Sequence, residues 1–146
     1  MKDLFVFGDI FKSRADVLVN PVNTVGVMGK GLALQFKNKY PDAYLKYVRL
    51  CKSGQLKIGN PIVVYDDVKH QHILLFPTKH HWRNPSSYDY IRDGLLYFKT
   101  YVYNPTLMYA FPLLGTGLGS LNSDYVKQLM IYYLEDTDNI KIYILR

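Results

Sequence analysis

A single cysteine, Cys51, stands in a chain of 146 residues. One thiol closes no intramolecular disulfide, so the fold rests on its core and a reducing compartment is expected. No basic stretch followed by a long apolar run opens the sequence, which speaks against secretion. Apolar runs such as Ile73-Leu74-Leu75-Phe76 fall far short of the ~20 residues that span a bilayer. A cytoplasmic protein without a membrane segment is expected. Acidic residues are the minority, 12 against 18 Lys and Arg, and the resulting charge of +6 either attracts polyanions or serves only to solvate the surface. Tryptophan occurs once, at Trp82, against 14 tyrosines, which can stack on bases or pack in core and rim. Two nucleotide motifs are missing. No G-x-x-x-x-G-K-S/T occurs, and no G-x-G-x-x-G opens the first predicted helix, so neither a P-loop nor a dinucleotide-type Rossmann site is expected. With no internal repeat, low-complexity tract or linker, residues 1–146 read as one domain.

What is present alternates. Strands are predicted over residues 2–7, 16–19, 61–65, 72–76, 107–111 and 140–145, from apolar runs bounded by turn residues. The second and fifth of these are nearly all apolar, the pattern of strands covered on both faces. Helices are predicted over 30–40, from Pro41-Asp42 to Ser53-Gly54, from Ser86 or Ser87 to Asn104-Pro105, and onward from Ser123. Tyr44, Tyr47, Val48 and Cys51 mark the inward stripe of the second helix, and Ile91, Leu95, Phe98 and Val102 that of the third. The polar stretch 66–71 predicts a hairpin between the third and fourth strands. The expectation is an α/β domain of three layers, α/β/α, around a mixed sheet of about six strands.

Two glycine-containing loops follow strand ends and precede helices, where open α/β sheets bind ligands. The first is Asn20-Pro21-Val22-Asn23-Thr24-Val25-Gly26-Val27-Met28-Gly29-Lys30-Gly31. It brings asparagine amides, backbone N–H groups and the positive end of a helix to one place, a combination suited to a ribose and a pyrophosphate. The second, Gly115-Thr116-Gly117-Leu118-Gly119, lets the backbone approach an anion closely. Asp9, after the first strand, can accept from an adenine amine or act as a turn or cap residue. Residues 77–85 are expected to form a loop, and it carries Lys79, His80, His81, Trp82 and Arg83. The adjacent histidines lack the i, i+4 spacing of a helical zinc pair and no cysteine pattern accompanies them, so no metal is expected. They can instead belong to a nucleic-acid-binding rim with Trp82 stacking on a base, and Lys79 can be a nucleophile or imine-forming amine. The last role is demanding. An ordinary lysine amine is uncharged in about 0.04% of molecules at pH 7, and bringing it near neutrality takes about 4 kcal/mol, from burial or from a nearby cation such as Arg83.

In their order, Gly8-Asp9-Ile10, the N-P-V-N of residues 20–23, the glycine loop running into a helix, and residues 115–119 resemble the macrodomain family over nearly the whole chain. Within it, V-G-V-M-G-K-G-L-A-L-Q-F (residues 25–36), the Tyr40-Pro41 boundary and F-P-T-K-x-x-W-R (residues 76–83) are similar to the DarG branch, antitoxins that remove ADP-ribose from DNA modified by DarT toxins. The resemblance implies ADP-ribose bound across the two glycine loops. Asp9 would hold the adenine amine and Ile10 line its pocket. Asn20, Val22 and Asn23 would border the distal ribose. Met28, Gly29, Lys30, Gly31 and Leu32, with Gly115, Thr116, Gly117, Leu118 and Gly119, would wrap the diphosphate and that ribose, and Thr78 would help fix the sugar. Lys79 matches the catalytic lysine, and His80, His81, Trp82 and Arg83 would face the attached single-stranded DNA. No cofactor is implied.

The implied reaction is attack by the lysine near the anomeric carbon, or imine formation with the ring-opened sugar, releasing an unmodified thymine. Two other functions fit such a domain: hydrolysis of ADP-ribose 1''-phosphate, and non-catalytic reading of ADP-ribose. A related branch carries an aspartate where this chain has Gly119, so any general acid or base must come from elsewhere or from the substrate. Antitoxins of the branch usually add a C-terminal toxin-binding domain, and because this sequence ends at Arg146, direct toxin neutralisation is not expected.

Overall fold

Six strands, β1 (Phe5–Phe7), β2 (Val17–Asn23), β3 (Ile62–Asp66), β4 (Gln71–Lys79), β5 (Tyr109–Pro112) and β6 (Ile140–Ile144), form one sheet in the order β1-β6-β5-β2-β4-β3. The computed structural model describes residues 3–145, so Lys2 of the first predicted strand lies outside the described residues. Five strands run parallel; β3 pairs antiparallel with β4 as the predicted hairpin. Helices α1 (Gly31–Lys39) and α2 (Pro41–Lys52) cover one face, α3 (Tyr88–Tyr97) and α4 (Ser123–Leu134) the other.

The period of two in a strand explains how one apolar run serves both layers. Along β4, Ile73 and Leu75 pack with Phe36, Ala43 and Tyr47 of α1 and α2, whereas Leu74 and Phe76 pack with Ile91, Leu95, Val126 and Met130 of α3 and α4. Gly94 lets α3 lie directly on β4: a β-carbon there would sit 2.4 Å from the Phe76 ring. At the far end of β3, the buried Asp66 carboxylate accepts from Ala43 N–H in the first turn of α2 (2.9 Å), while Asp42 accepts from Asp67 N–H (2.7 Å). This reciprocal pair caps α2 from outside the helix and fixes its angle on the sheet. Among the described residues no helix is long and apolar enough to cross a membrane.

Several boundaries differ from the sequence expectation. β2 does not end at Val19 but runs to Asn23, paired with β4 throughout. Pro21, which has no N–H for a ladder, is tolerated because β2 pairs with β5 only at Val17 and Leu18 and is an edge beyond them. β4 likewise runs through Pro77 and Thr78 to Lys79, where a loop was expected, because β2 continues alongside it. The fifth strand begins at Tyr109 rather than Leu107, since Leu107 N–H closes a turn on the Asn104 carbonyl. The third helix also ends differently: α3 stops at Tyr97 and residues Phe98–Val102 widen into a π-helical turn, with Thr100 Oγ1 donating to the Leu96 carbonyl.

Candidate functional site

Because β1, β2, β4 and β5 are parallel, the segments after them emerge on one rim. β2 pairs with β5 only at Val17 and Leu18, so the two strands part before this rim. Residues 24–30 follow β2, residues 80–87 follow β4, and residues 113–122 follow β5.

The first loop is shaped by Asn23. Its Oδ1 accepts from Val25 N–H (3.1 Å), Val27 N–H (3.4 Å) and the Tyr47 hydroxyl (2.7 Å), and its Nδ2 donates to the Val27 carbonyl (2.7 Å). Gly26 takes a φ of +87° inside this turn and Gly31 one of +59° at the start of α1, a region that glycine enters without cost. Lys30 at the N-cap of α1 is extended and supplies no side-chain cap, so the first N–H groups of the helix, with their dipole, are left to an incoming anion.

Lys79 ends β4 beyond an irregularity. Val22 pairs with Pro77 but Asn23 with Lys79, so Thr78 is an extra residue that breaks the alternation and re-aims the chain beyond it. The Lys79 side chain is 8% exposed. Its Nζ donates to the carbonyls of Trp82 (3.0 Å) and Leu118 (3.4 Å), joining the second and third loops. Burial holds its pKa below the ordinary lysine value; Arg83, the cation considered from sequence, sits instead over the Trp82 indole, 4.6 Å from its centroid. A neutral amine keeps two N–H donors and one lone pair. With both donors committed to carbonyls, the lone pair is held in a fixed direction, which is what a nucleophile requires.

The second loop is pinned by glycines and by Ser86. Gly115 has a φ of +74°, and a β-carbon there would meet Leu121 at 2.8 Å. Gly117 faces open space. Thr116 is half-buried and Leu118 60% exposed, and Leu118 reaches the other loop, its Cδ1 3.6 Å from where Gly31 would carry a β-carbon. The hydroxyl of buried Ser86 donates to the Thr78 carbonyl and its N–H to the Gly119 carbonyl (2.9 Å). Thr24 ties the first loop to the third, both its N–H (3.0 Å) and Oγ1 (3.2 Å) donating to the His80 carbonyl.

The structure thus brings Val22, Asn23, the stretch 28–32, Thr78, Lys79 and the stretch 115–119 to one rim. Asp9 is exposed and caps a single 3-10 turn, accepting from Phe11 N–H (2.9 Å), while Ile10 is buried against the α1–α2 layer. His81 stacks on Trp82 at 5.2 Å and His80 meets the edge of Tyr90. Asn20, three residues before Asn23 on β2, is 1% exposed, its Nδ2 3.8 Å from Met28 Sδ and its Oδ1 without a hydrogen-bond partner among the described residues. Sequence reasoning missed Ser86, weighed only as a helix cap, and Tyr47, taken only as core. Ser86 joins the end of β4 to the 115–119 loop, and no spacing in the chain signals that.

Fold and rim together define an α/β/α domain with two glycine loops beside a buried lysine. The sequence matches the Macro domain family over residues 19–130; the chain belongs to that family. It is 42% identical over 144 residues to the DNA ADP-ribosyl glycohydrolase of Thermus aquaticus, covering 96% of this chain and 40% of that protein. The chain therefore spans about 40% of the length of the curated relatives it matches. Among solved structures, the macrodomain of Mycobacterium tuberculosis DarG superposes with a TM-score of 0.87 at 36% identity, over 99% of this chain and 98% of that one. Thermosipho africanus DarTG in complex with ADP-ribose gives 0.84 at 37% identity, over 99% of this chain and 42% of that one.

Proposed function

We propose that this domain binds ADP-ribose and, through Lys79, removes it from thymine bases of single-stranded DNA, reversing DarT-type modification. The observation that carries this reading is the Lys79 amine, withdrawn from water and held by two carbonyls where the three loops meet. The open N-terminus of α1 and the backbone of residues 115–119 take the diphosphate. Asn23, Val22 and Thr78 border the distal ribose, and Asp9 receives the adenine amine beside Ile10. The amine forms a bond to the anomeric carbon while the carbon–nitrogen bond to thymine breaks, its electron pair leaving with the base, which takes up the proton that the alkylated amine gives up. Water then frees the sugar. An N-glycosidic bond to a base is a poor target for water alone, which is why an amine is needed. His80, His81, Trp82 and Arg83 lie on the rim next to Lys79, so the strand carrying the base meets a cationic, aromatic surface.

The test is incubation with an ADP-ribosylated single-stranded oligonucleotide, scored for restored mobility. The parent restores it, and Lys79→Met binds ADP-ribose yet does not. Preference for ADP-ribose 1''-phosphate over the oligonucleotide would point to a phosphatase, and binding without turnover by the parent to a reader.

A further inference from the structure

Tyr47 stands in the apolar stripe of α2 and is fully buried. Its ring belongs to the core between α2 and the sheet. Its hydroxyl serves something else. It lies 2.7 Å from Asn23 Oδ1 and 2.9 Å from the Asn23 carbonyl, and the Cys51 thiol sits beside it one turn along the helix. One hydroxyl therefore holds both the carbonyl and the amide of the residue on which the 23–27 turn closes. Burial, first among the causes, pushes its pKa far above the ordinary tyrosine value, so it is a protonated donor throughout the neutral range.

The consequence falls on Asn23. Its Oδ1 receives the Tyr47 hydroxyl and two backbone N–H groups. A carboxamide nitrogen accepts none of these, so the amide has one orientation only, with Nδ2 presented as the donor. One Nδ2 hydrogen goes to the Val27 carbonyl; the other is the donor left to a ligand. We infer that Tyr47 is a positioning residue of the ligand site, setting from beneath the course of residues 23–27 and the orientation of the amide that meets the sugar. The inference rests on the reading of this loop as part of an ADP-ribose site.

The test uses Tyr47→Phe, which keeps the ring and removes the hydroxyl, together with Asn23→Ala and the double variant. ADP-ribose affinity is measured by calorimetry, KM and kcat on the ADP-ribosylated oligonucleotide, and the melting temperature alongside. Tyr47→Phe weakens ADP-ribose binding about fivefold, the worth of one neutral hydrogen bond, and raises KM by a similar factor. It leaves kcat within about twofold, because Lys79 is held by other groups. In the Asn23→Ala background the same change alters affinity by less than about twofold, since both act through one amide. A Tyr47→Phe protein that melts lower but binds as the parent does, or losses that simply add in the double variant, would overturn the inference. A parent that binds ADP-ribose without turning over the oligonucleotide sinks the glycohydrolase reading alone, and the affinity arms still decide the role of Tyr47. A parent that does not bind ADP-ribose sinks both.

Discussion

A β-carbon on Gly119 would lie 2.5 Å from the carbonyl oxygen of Gly115 and 2.9 Å from its Cα. The clash is with backbone, which cannot rotate aside. The position that bears an aspartate in a related branch is therefore closed to any side chain here while the loop keeps its path.

Gly119→Asp is expected to displace the 115–119 turn rather than add a working carboxylate. Since the Gly119 carbonyl accepts from Ser86 N–H, the shift passes to Ser86 and to the end of β4. Gly119→Ala alone should cost about 1–3 kcal/mol of stability and weaken ADP-ribose binding at least about tenfold. Gly117→Ala, placed in open space, should leave the melting temperature unchanged. Thermal melts and calorimetry on the two alanine variants check this; a Gly119→Ala protein as stable as the parent would refute the steric account.

The lowered pKa of Lys79 gives two linked pH dependences. If Lys79 is the nucleophile as proposed, its reactive form is the free amine, so kcat/KM should climb with pH and level off above a midpoint that lies below the ordinary lysine value. Stability carries the matching sign. Below that midpoint both folded and unfolded chains are protonated, and the folded one bears the full burial penalty of the ammonium. Between that midpoint and the ordinary value the unfolded chain holds more protons, so stability rises with pH. Lys79→Met should therefore be more stable than the parent at pH 7, with the gap narrowing as pH rises through that window. A pH–rate profile and urea titrations at neutral and alkaline pH test both.

Asn20 offers the opposite kind of change. Its Oδ1 is buried beside Met28, Phe36, Ala43, Ile73 and Leu75 with no hydrogen-bond partner among the described residues, and such a group costs on the order of 1–3 kcal/mol. Asn20→Leu should raise the melting temperature by about 3 °C and keep ADP-ribose affinity within about twofold. A large loss of affinity in that variant would show that the asparagine reaches the sugar after all.

Much of this was legible because local rules and the fold agree. The run Ile73–Phe76 feeds both layers and the Tyr44–Cys51 stripe faces inward, whereas Lys79, expected in a loop, ends β4. The prolines misled. Pro21 and Pro77 read as strand ends, yet β2 and β4 carry each other through them once β5 has parted. The bulge at Thr78 left no trace, since it depends on register between strands more than fifty residues apart in the chain. Ser86 and Tyr47 were seen only as a cap and a core residue because their second partners lie on other loops.

The two hydrogen bonds from Thr24 to the His80 carbonyl couple the loop after β2 to the residue next to Lys79. If this rim holds ADP-ribose as proposed, seizing the nucleotide and delivering the nitrogen are then one linked movement. A sugar that settled correctly would arrive already facing its attacker.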